Sequence, residues 1–256
     1  MTSSARRPNR HEKTPHDGPV WIYGRHAVLA ALKNPRRDLL RLVITDNAAA
    51  WLSEQHKLPG AAESLKPHQI DKLLQPGAVH QGIAAQMSPL PRTRLKDACA
   101  NPGQGPVIVL DQVTDPQNIG AILRVAAGFS AQAVIVQERR TPPLAGALAK
   151  AAAGALEVVP VVQAVNISRA LEALKDLGFD VAGLAGEGAI PLPDFDASRP
   201  LALVMGAEGK GLRDGVRSHC HSLVSIPLSE HVESLNVATA AAVALYAVTS
   251  GQPAQA

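Results

Sequence analysis

Residues 201–246 read LALVMGAEGKGLRDGVRSHCHSLVSIPLSEHVESLNVATAAAVALY, and the fold follows from how that stretch divides. Two short apolar runs, 201–205 and 223–226, each feed a polar loop, and each loop opens onto a helical pattern. The first loop carries Gly206, Glu208, Gly209, Lys210 and Gly211; the second carries Pro227, Ser229, Ser234 and Asn236. Short continuous apolar runs are the signature of strands buried on both faces. In α/β proteins such strands deliver ligand-binding loops at their ends. Two such loops close together predict one shared pocket, and Ser234 is expected to cap a helix over 235–249 with Asn236 in its first turn.

Upstream, the same alternation continues. Strands are expected at 107–110, 133–137, 156–162 and 179–184, with helices over 119–129, 144–153 and 167–177, the last capped by Asn166 and ended by Gly178. In the helix 119–129, Ile119, Ile122, Leu123, Ala126 and Ala127 make a core face, while Gly120, Ala121, Arg124 and Gly128 share another. Small residues around one arginine leave room for another backbone or a ligand. Strands alternating with helices predict a mostly parallel sheet covered on both faces. Before it, a helix over 25–32, a strand at 40–45, helices over 48–57 and 67–74, and a strand at 82–86 make a small αβ unit with a basic edge at Arg36, Arg37 and Arg41. Residues 88–106 hold prolines at 89, 91, 102 and 106 and read as an interdomain linker. The expected layout is therefore a basic flexible tail at 1–19, a small domain at 20–87, a linker at 88–106 and an α/β domain at 107–256.

Composition narrows the function classes. The chain has 256 residues, 46% hydrophobic content and a net charge of +3, a mild preference for nucleic acid over acidic partners. No apolar run approaches the ~20 residues that span a bilayer, and residues 1–17 lack a secretory core, so the expected compartment is the cytoplasm. Cys99 and Cys220 stand far apart, and His219 and His221 do not converge on one ion, so neither a disulfide framework nor a metal is expected. The glycine order GxxGxG at 206–211 is not a dinucleotide fingerprint, and Lys210 precedes Gly211 rather than Ser or Thr, which excludes a P-loop. Asp111 and Asp115 read first as strand-end and turn residues, and Ser234 has only His231 nearby as a base.

Three segments taken together say more: D-P-Q-N-I-G-A-I-L-R at 115–124, V-M-G-A-E-G-K-G-L at 204–212, and I-P-L-x-x-x-x-x-S-L-N-V at 226–237. In order and separation they resemble the three motifs of the SpoU (TrmH-like) branch of the SPOUT RNA methyltransferases. Y-G-R-H-A-V-L-A-A-L at 23–32 resembles the start of that family's RNA substrate-binding domain. The two-domain layout is most similar to the members that methylate a guanosine ribose 2′-hydroxyl in 23S ribosomal RNA. One departure stands in the third motif, where Leu228-Ser229-Glu230-His231 replaces a run in which the family commonly has glycine.

The resemblance implies a C-terminal domain tied in a deep trefoil knot, a homodimer, and S-adenosylmethionine held largely by backbone groups at Gly206, Ile226 and Leu235. It assigns Arg124, Asn118, Glu208, Ser234 and Asn236 to the reaction. A guanidinium is a poor base, so Arg124 is expected to clamp a phosphate and stabilise the developing alkoxide, the proton passing to a phosphate oxygen or water. Asn118 and Asn236 are expected to orient, Glu208 to anchor Arg124 or the partner loop, and Ser234 to touch substrate. Transfer RNA as the substrate, and a non-catalytic RNA-binding or ribosome-assembly role, are the alternatives that the sequence leaves open.

Overall fold

The computed structural model describes residues 18–250, so most of the basic stretch expected at 1–19 lies outside the described residues. The first domain is a four-stranded sheet of β1 (Val20–Tyr23), β2 (Leu39–Ile44), β3 (Ala62–Ser64) and β4 (Ile83–Met87) in the order β1-β4-β2-β3. Helix α1 (Arg25–Lys33) buries Ala27, Val28 and Ala31, and α2 (Asp46–Gln55) buries Ala48 and Leu52. A short α3 (Pro67–Asp71) carries Ile70 into the sheet's other face.

The expected basic edge is not assembled there. Arg41 pairs with Glu63 across β2 and β3, and Arg37 turns inward. A third short strand beside β2 and a carboxylate in the opposite domain claim those two charges, and neither was visible from local spacing.

The second domain is a seven-stranded sheet in which every pairing is parallel. In chain order its strands are β5 (Val107–Leu110), β6 (Ala133–Gln137), β7 (Val161–Ala164), β8 (Asp180–Leu184), β9 (Ile190–Pro191), β10 (Leu201–Met205) and β11 (Ser222–Ser225). Their spatial order is β7-β6-β5-β10-β8-β11-β9. Helix α4 (Leu95–Ala98) precedes β5. The helices that follow are α5 (Pro116–Gly128), α6 (Gly146–Ala152), α7 (Ile167–Asp176), α8 (Asp214–Arg217) and α9 (Val237–Thr249). Strand β10 is buried at every residue, as a continuous apolar run requires.

Several expectations shift for identifiable reasons. Helix α5 starts three residues before 119, because Asp115 accepts from the Gln117 N–H at 2.9 Å and Pro116 occupies the first helical position. The strand expected over 156–162 starts only at Val161. Residues Ala155–Glu157 form a 3-10 turn entered through left-handed Gly154, which brings Glu157 to the other domain. The third-motif helix is capped by Asn236, whose side-chain oxygen accepts from the N–H groups of Ala238 and Thr239 at 2.9 and 3.3 Å. Ser234 makes no such bond, so its expected capping role is corrected.

The two domains share one apolar core that runs from Ile22, Val28 and Leu42 to Ile108, Ile119 and Leu156. At their seam Arg37 Nε lies 2.8 Å from Glu157 Oε2, with side-chain exposures of 0% and 4%. Asn34 donates to the same oxygen at 2.6 Å, and Arg36 donates to the Glu157 carbonyl at 2.8 Å. The proline-rich stretch after β4 is not a free strap: α4 lies within it, and Cys99 is fully buried against Val107 and Val109.

Candidate active site

At the carboxyl ends of β8, β10 and β11, three loops enclose a cavity of about 410 Å³. Leu184, Met205, Ile226, Leu235 and Val237 supply apolar walls, and Glu187, Glu208, Arg217 and Ser234 supply polar groups. The sequence-predicted trio Gly206, Ile226 and Leu235 is therefore gathered in one place.

Gly206 is required there by the loop's own path, in addition to any close approach of a ligand. A side chain on it would sit 2.1 Å from the Gly211 carbonyl carbon and 2.5 Å from the Leu212 nitrogen. The loop crosses itself, closed by the Gly211 N–H bond to the Ala207 carbonyl at 2.8 Å. Only a residue without Cβ allows that crossing. Gly188, in the neighbouring loop, is pressed in the same way onto Val224 and Ser225.

Beside the cavity Glu208 is the hub of a polar cluster. Its Oε1 accepts from the amides of Asn118 at 2.9 Å and Asn236 at 2.6 Å, and Asn236 also donates to the Asn118 Oδ1 at 2.9 Å. Three residues from three separate motifs thus fix one another. The Asn236 oxygen is committed to the start of α9, so its amide can only donate, which fixes the direction of every bond in the cluster. Glu208 was expected to anchor Arg124 or the partner loop; among the described residues it binds the two asparagines, of which Asn236 belongs to the third-motif segment, and makes no bond to Arg124.

Arg124 is not brought to this cavity by its own chain. It is exposed on α5, six residues and about 9 Å along the helix axis from Asn118, and makes no hydrogen bond or ion pair among the described residues. The small face around it receives a backbone: a Cβ on Gly120 would lie 2.6 Å from the Leu148 carbonyl oxygen on α6.

Two ion pairs near the loops escaped the sequence reading. Asp111, fully buried at the end of β5, accepts from the Arg213 side chain at 2.5 and 2.9 Å and from its backbone N–H at 3.1 Å. This ties the far end of the Gly206 loop to the neighbouring strand and raises the Arg213 pKa. A charge at the end of an all-apolar strand is a signal that a partner must exist. The partner, 102 residues away, leaves no trace in local spacing. On the cavity rim, Glu187 is hydrogen-bonded by its own backbone N–H and paired with Arg217, which together hold its carboxyl below the usual range. Among the described residues no group of three or more His, Cys, Asp or Glu is placed to hold a metal ion.

A parallel sheet with a walled cavity and a carboxylate–amide cluster at its carboxyl edge, joined to a small mixed sheet, defines a two-domain α/β protein with a nucleoside-sized ligand site. Residues 105–246 match the SpoU rRNA Methylase family, and residues 21–93 match the RNA 2′-O ribose methyltransferase substrate binding domain. The chain belongs to the SpoU rRNA methylase family. It is 38% identical over 237 residues to the 23S rRNA (guanosine-2′-O-)-methyltransferase RlmB of Pseudomonas syringae, covering 88% of this chain and 93% of that one. It is 39% identical to an uncharacterised tRNA/rRNA methyltransferase of Synechocystis over 89% of this chain but only 61% of that one. In fold it resembles the SpoU methyltransferase AviRb of Streptomyces viridochromogenes, solved with AdoMet, with a TM-score of 0.78 and 22% identity over 93% of this chain and 92% of that one. It likewise resembles a TrmH-family RNA methyltransferase from Porphyromonas gingivalis, with a TM-score of 0.72 and 26% identity over 91% and 90% of the two chains.

Proposed function

We propose that the chain transfers a methyl group from S-adenosylmethionine to a ribose 2′-hydroxyl of 23S ribosomal RNA, at a guanosine. The carrying observation is the joining of the three family motifs by the Asn118–Glu208–Asn236 cluster at the mouth of the cavity. The cavity fits the donor: apolar Ile226 and Leu235 can flank an adenine, and Glu187 and Ser234 offer acceptors to ribose hydroxyls. When bound, S-adenosylmethionine supplies an electrophilic methyl on its sulfonium. The chain's work is orientation. The self-crossed Gly206 loop presents backbone groups, and the two asparagines set the entrance through which the RNA ribose arrives. Arg124 neutralises the adjoining phosphate and the oxygen as it loses its proton to a phosphate oxygen or water.

Because Arg124 lies outside its own chain's cavity, we place the protein as a homodimer in which α5 of one copy serves the pocket of the other. Support comes from exposed Val243 and Tyr246 on α9, with Tyr246 against Phe129 at the end of α5. Such an apolar surface suits a second copy. We also infer the trefoil knot, since β11 enters between β8 and its sequential neighbour β9 rather than at the sheet edge. The compartment that fits a ribosomal RNA substrate is the cytoplasm, and among the described residues no helix is long and apolar enough to cross a membrane.

Mixed dimers test the shared site. Arg124→Ala and Asn236→Ala copies, each inactive alone but with S-adenosylmethionine binding retained by the Arg124 variant, should regain transfer when mixed. No recovery in verified mixed dimers would place Arg124 in its own chain's site.

A further inference from the structure

A second cavity lies away from the one above. A groove of about 470 Å³ runs along the outer edge of β7, between α7, the 3-10 turn and residues 90–95. Among the described residues four arginines (Arg36, Arg92, Arg94 and Arg169) line it, and no carboxylate does. Its floor is apolar, formed by residues such as Leu95, Leu144, Val159 and Val161.

The arginines differ in how firmly they are engaged. Among the described residues Arg36 binds only neutral oxygens, those of Asn34 and the Glu157 carbonyl, and has no counterion. The Arg169 side chain makes no hydrogen bond or ion pair among the described residues. Arg94 pairs with Asp97 three residues on, at 81% and 56% side-chain exposure, a contact that a phosphate displaces at little cost. Arg92 is held by Glu138 at 2.8 Å and stands as a fixed wall. Guanidinium groups that line an apolar floor, two of them (Arg36 and Arg169) without a carboxylate partner among the described residues, select an anion carrying phosphates and flat apolar faces. The buried Arg37–Glu157 pair beneath the groove holds the two domains together, so Arg36 from one and Arg169 from the other keep a constant separation.

We propose that this groove is a second RNA-binding surface, gripping the backbone of the substrate strand away from the methylated ribose. Strand β7 lies three positions from β10 in the sheet, about 14 Å at the usual spacing, so a strand a few nucleotides longer than the target can occupy both sites. The inference rests on the RNA substrate of the proposed function, and it gives the substrate a second hold that excludes short or unstructured RNA.

The test is the double variant Arg94→Ala/Arg169→Ala, two exposed positions away from the cavity, the clamp and the polar cluster. Binding of 23S RNA fragments is measured across a salt series, together with methyl transfer. Loss of two phosphate contacts should lower the slope of log affinity against log salt by about 1.5 and weaken affinity roughly ten-fold. The KM for RNA should rise with kcat and S-adenosylmethionine affinity unchanged, and the effect should vanish on a minimal stem-loop carrying only the target. An unchanged slope and KM overturn the inference while leaving the activity standing. Equal losses on the minimal stem-loop also overturn it, as does saturable binding of a free mononucleotide that the variant abolishes. Absence of transfer by the wild-type protein, with the slope change present, would instead defeat the proposed function and spare the groove.

Discussion

Removing one partner of the Arg37–Glu157 pair should destabilise the protein more than removing both. Arg37 Nε faces both carboxylate oxygens at 3.0 and 2.8 Å, its Nη1 donates to the Ser88 carbonyl at 2.9 Å, and neither side chain is more than 4% exposed. Glu157→Gln keeps the shape but strands a guanidinium in an apolar seam, and Arg37→Met strands the carboxylate with only Asn34 to bind it. Breaking a buried pair from one side costs about 3–5 kcal/mol. One Arg37 nitrogen, Nη2, is already buried without a partner, which places the estimate near the lower end. For a chain of this size that corresponds to a fall in Tm of roughly 6–12 °C. The double variant Arg37→Met/Glu157→Leu removes both charges and should recover most of the loss. Thermal unfolding followed by circular dichroism, completed as a double-mutant cycle, measures the coupling. Single variants within 1 °C of wild type, or a double variant equal to the sum of the singles, would refute the reasoning and return the first domain to the status of a loosely tethered module.

Other outcomes follow from the same structure. Gly206→Ala places a Cβ 2.1 Å from the Gly211 carbonyl carbon, so the loop must open; S-adenosylmethionine affinity by calorimetry should fall more than ten-fold. Asn236→Asp retains a good helix cap but sets a second carboxylate where an amide now donates to Glu208 at 2.6 Å; Tm should hold while methyl transfer collapses. Asn236→Ala should lose both, with about 1 kcal/mol of stability going with the cap. Burial pushes the Cys220 and Cys99 thiols up to about 11, so at pH 8 only ~0.1% is thiolate, and alkylation of the native protein should lag a free cysteine by more than a hundred-fold until it unfolds.

Much of the architecture could be read from apolar runs. Strands β5, β6 and β10 lie where the expectations put them, because each is short, continuous and bounded by polar loops. That two loops would share one pocket was legible for the same reason, while the choice of Gly206, Ile226 and Leu235 within it came from the family resemblance. What local pattern could not supply was tertiary pairing. Residues 156–162 read as a strand by hydrophobicity, yet Glu157 is drawn into a turn by Arg37, 120 residues earlier in the chain. Arg37 read as a surface charge, and Asp111 as a strand-end residue, until their partners arrived from distant segments. Glu208 was expected to reach Arg124 or the partner loop, and its bonds run to Asn118 and Asn236. Ser234 and Asn236 are both good caps in isolation, and only the backbone path decides between them.

The most direct measurement of the central claim is transfer of a labelled methyl group from S-adenosylmethionine to deproteinised 23S RNA, followed by alkaline hydrolysis. A methylated 2′-oxygen blocks cleavage of the adjoining phosphodiester, so the account predicts label in one alkali-resistant dinucleotide that begins with guanosine. Label on a base, or RNA that stays unlabelled while binding is intact, would contradict it.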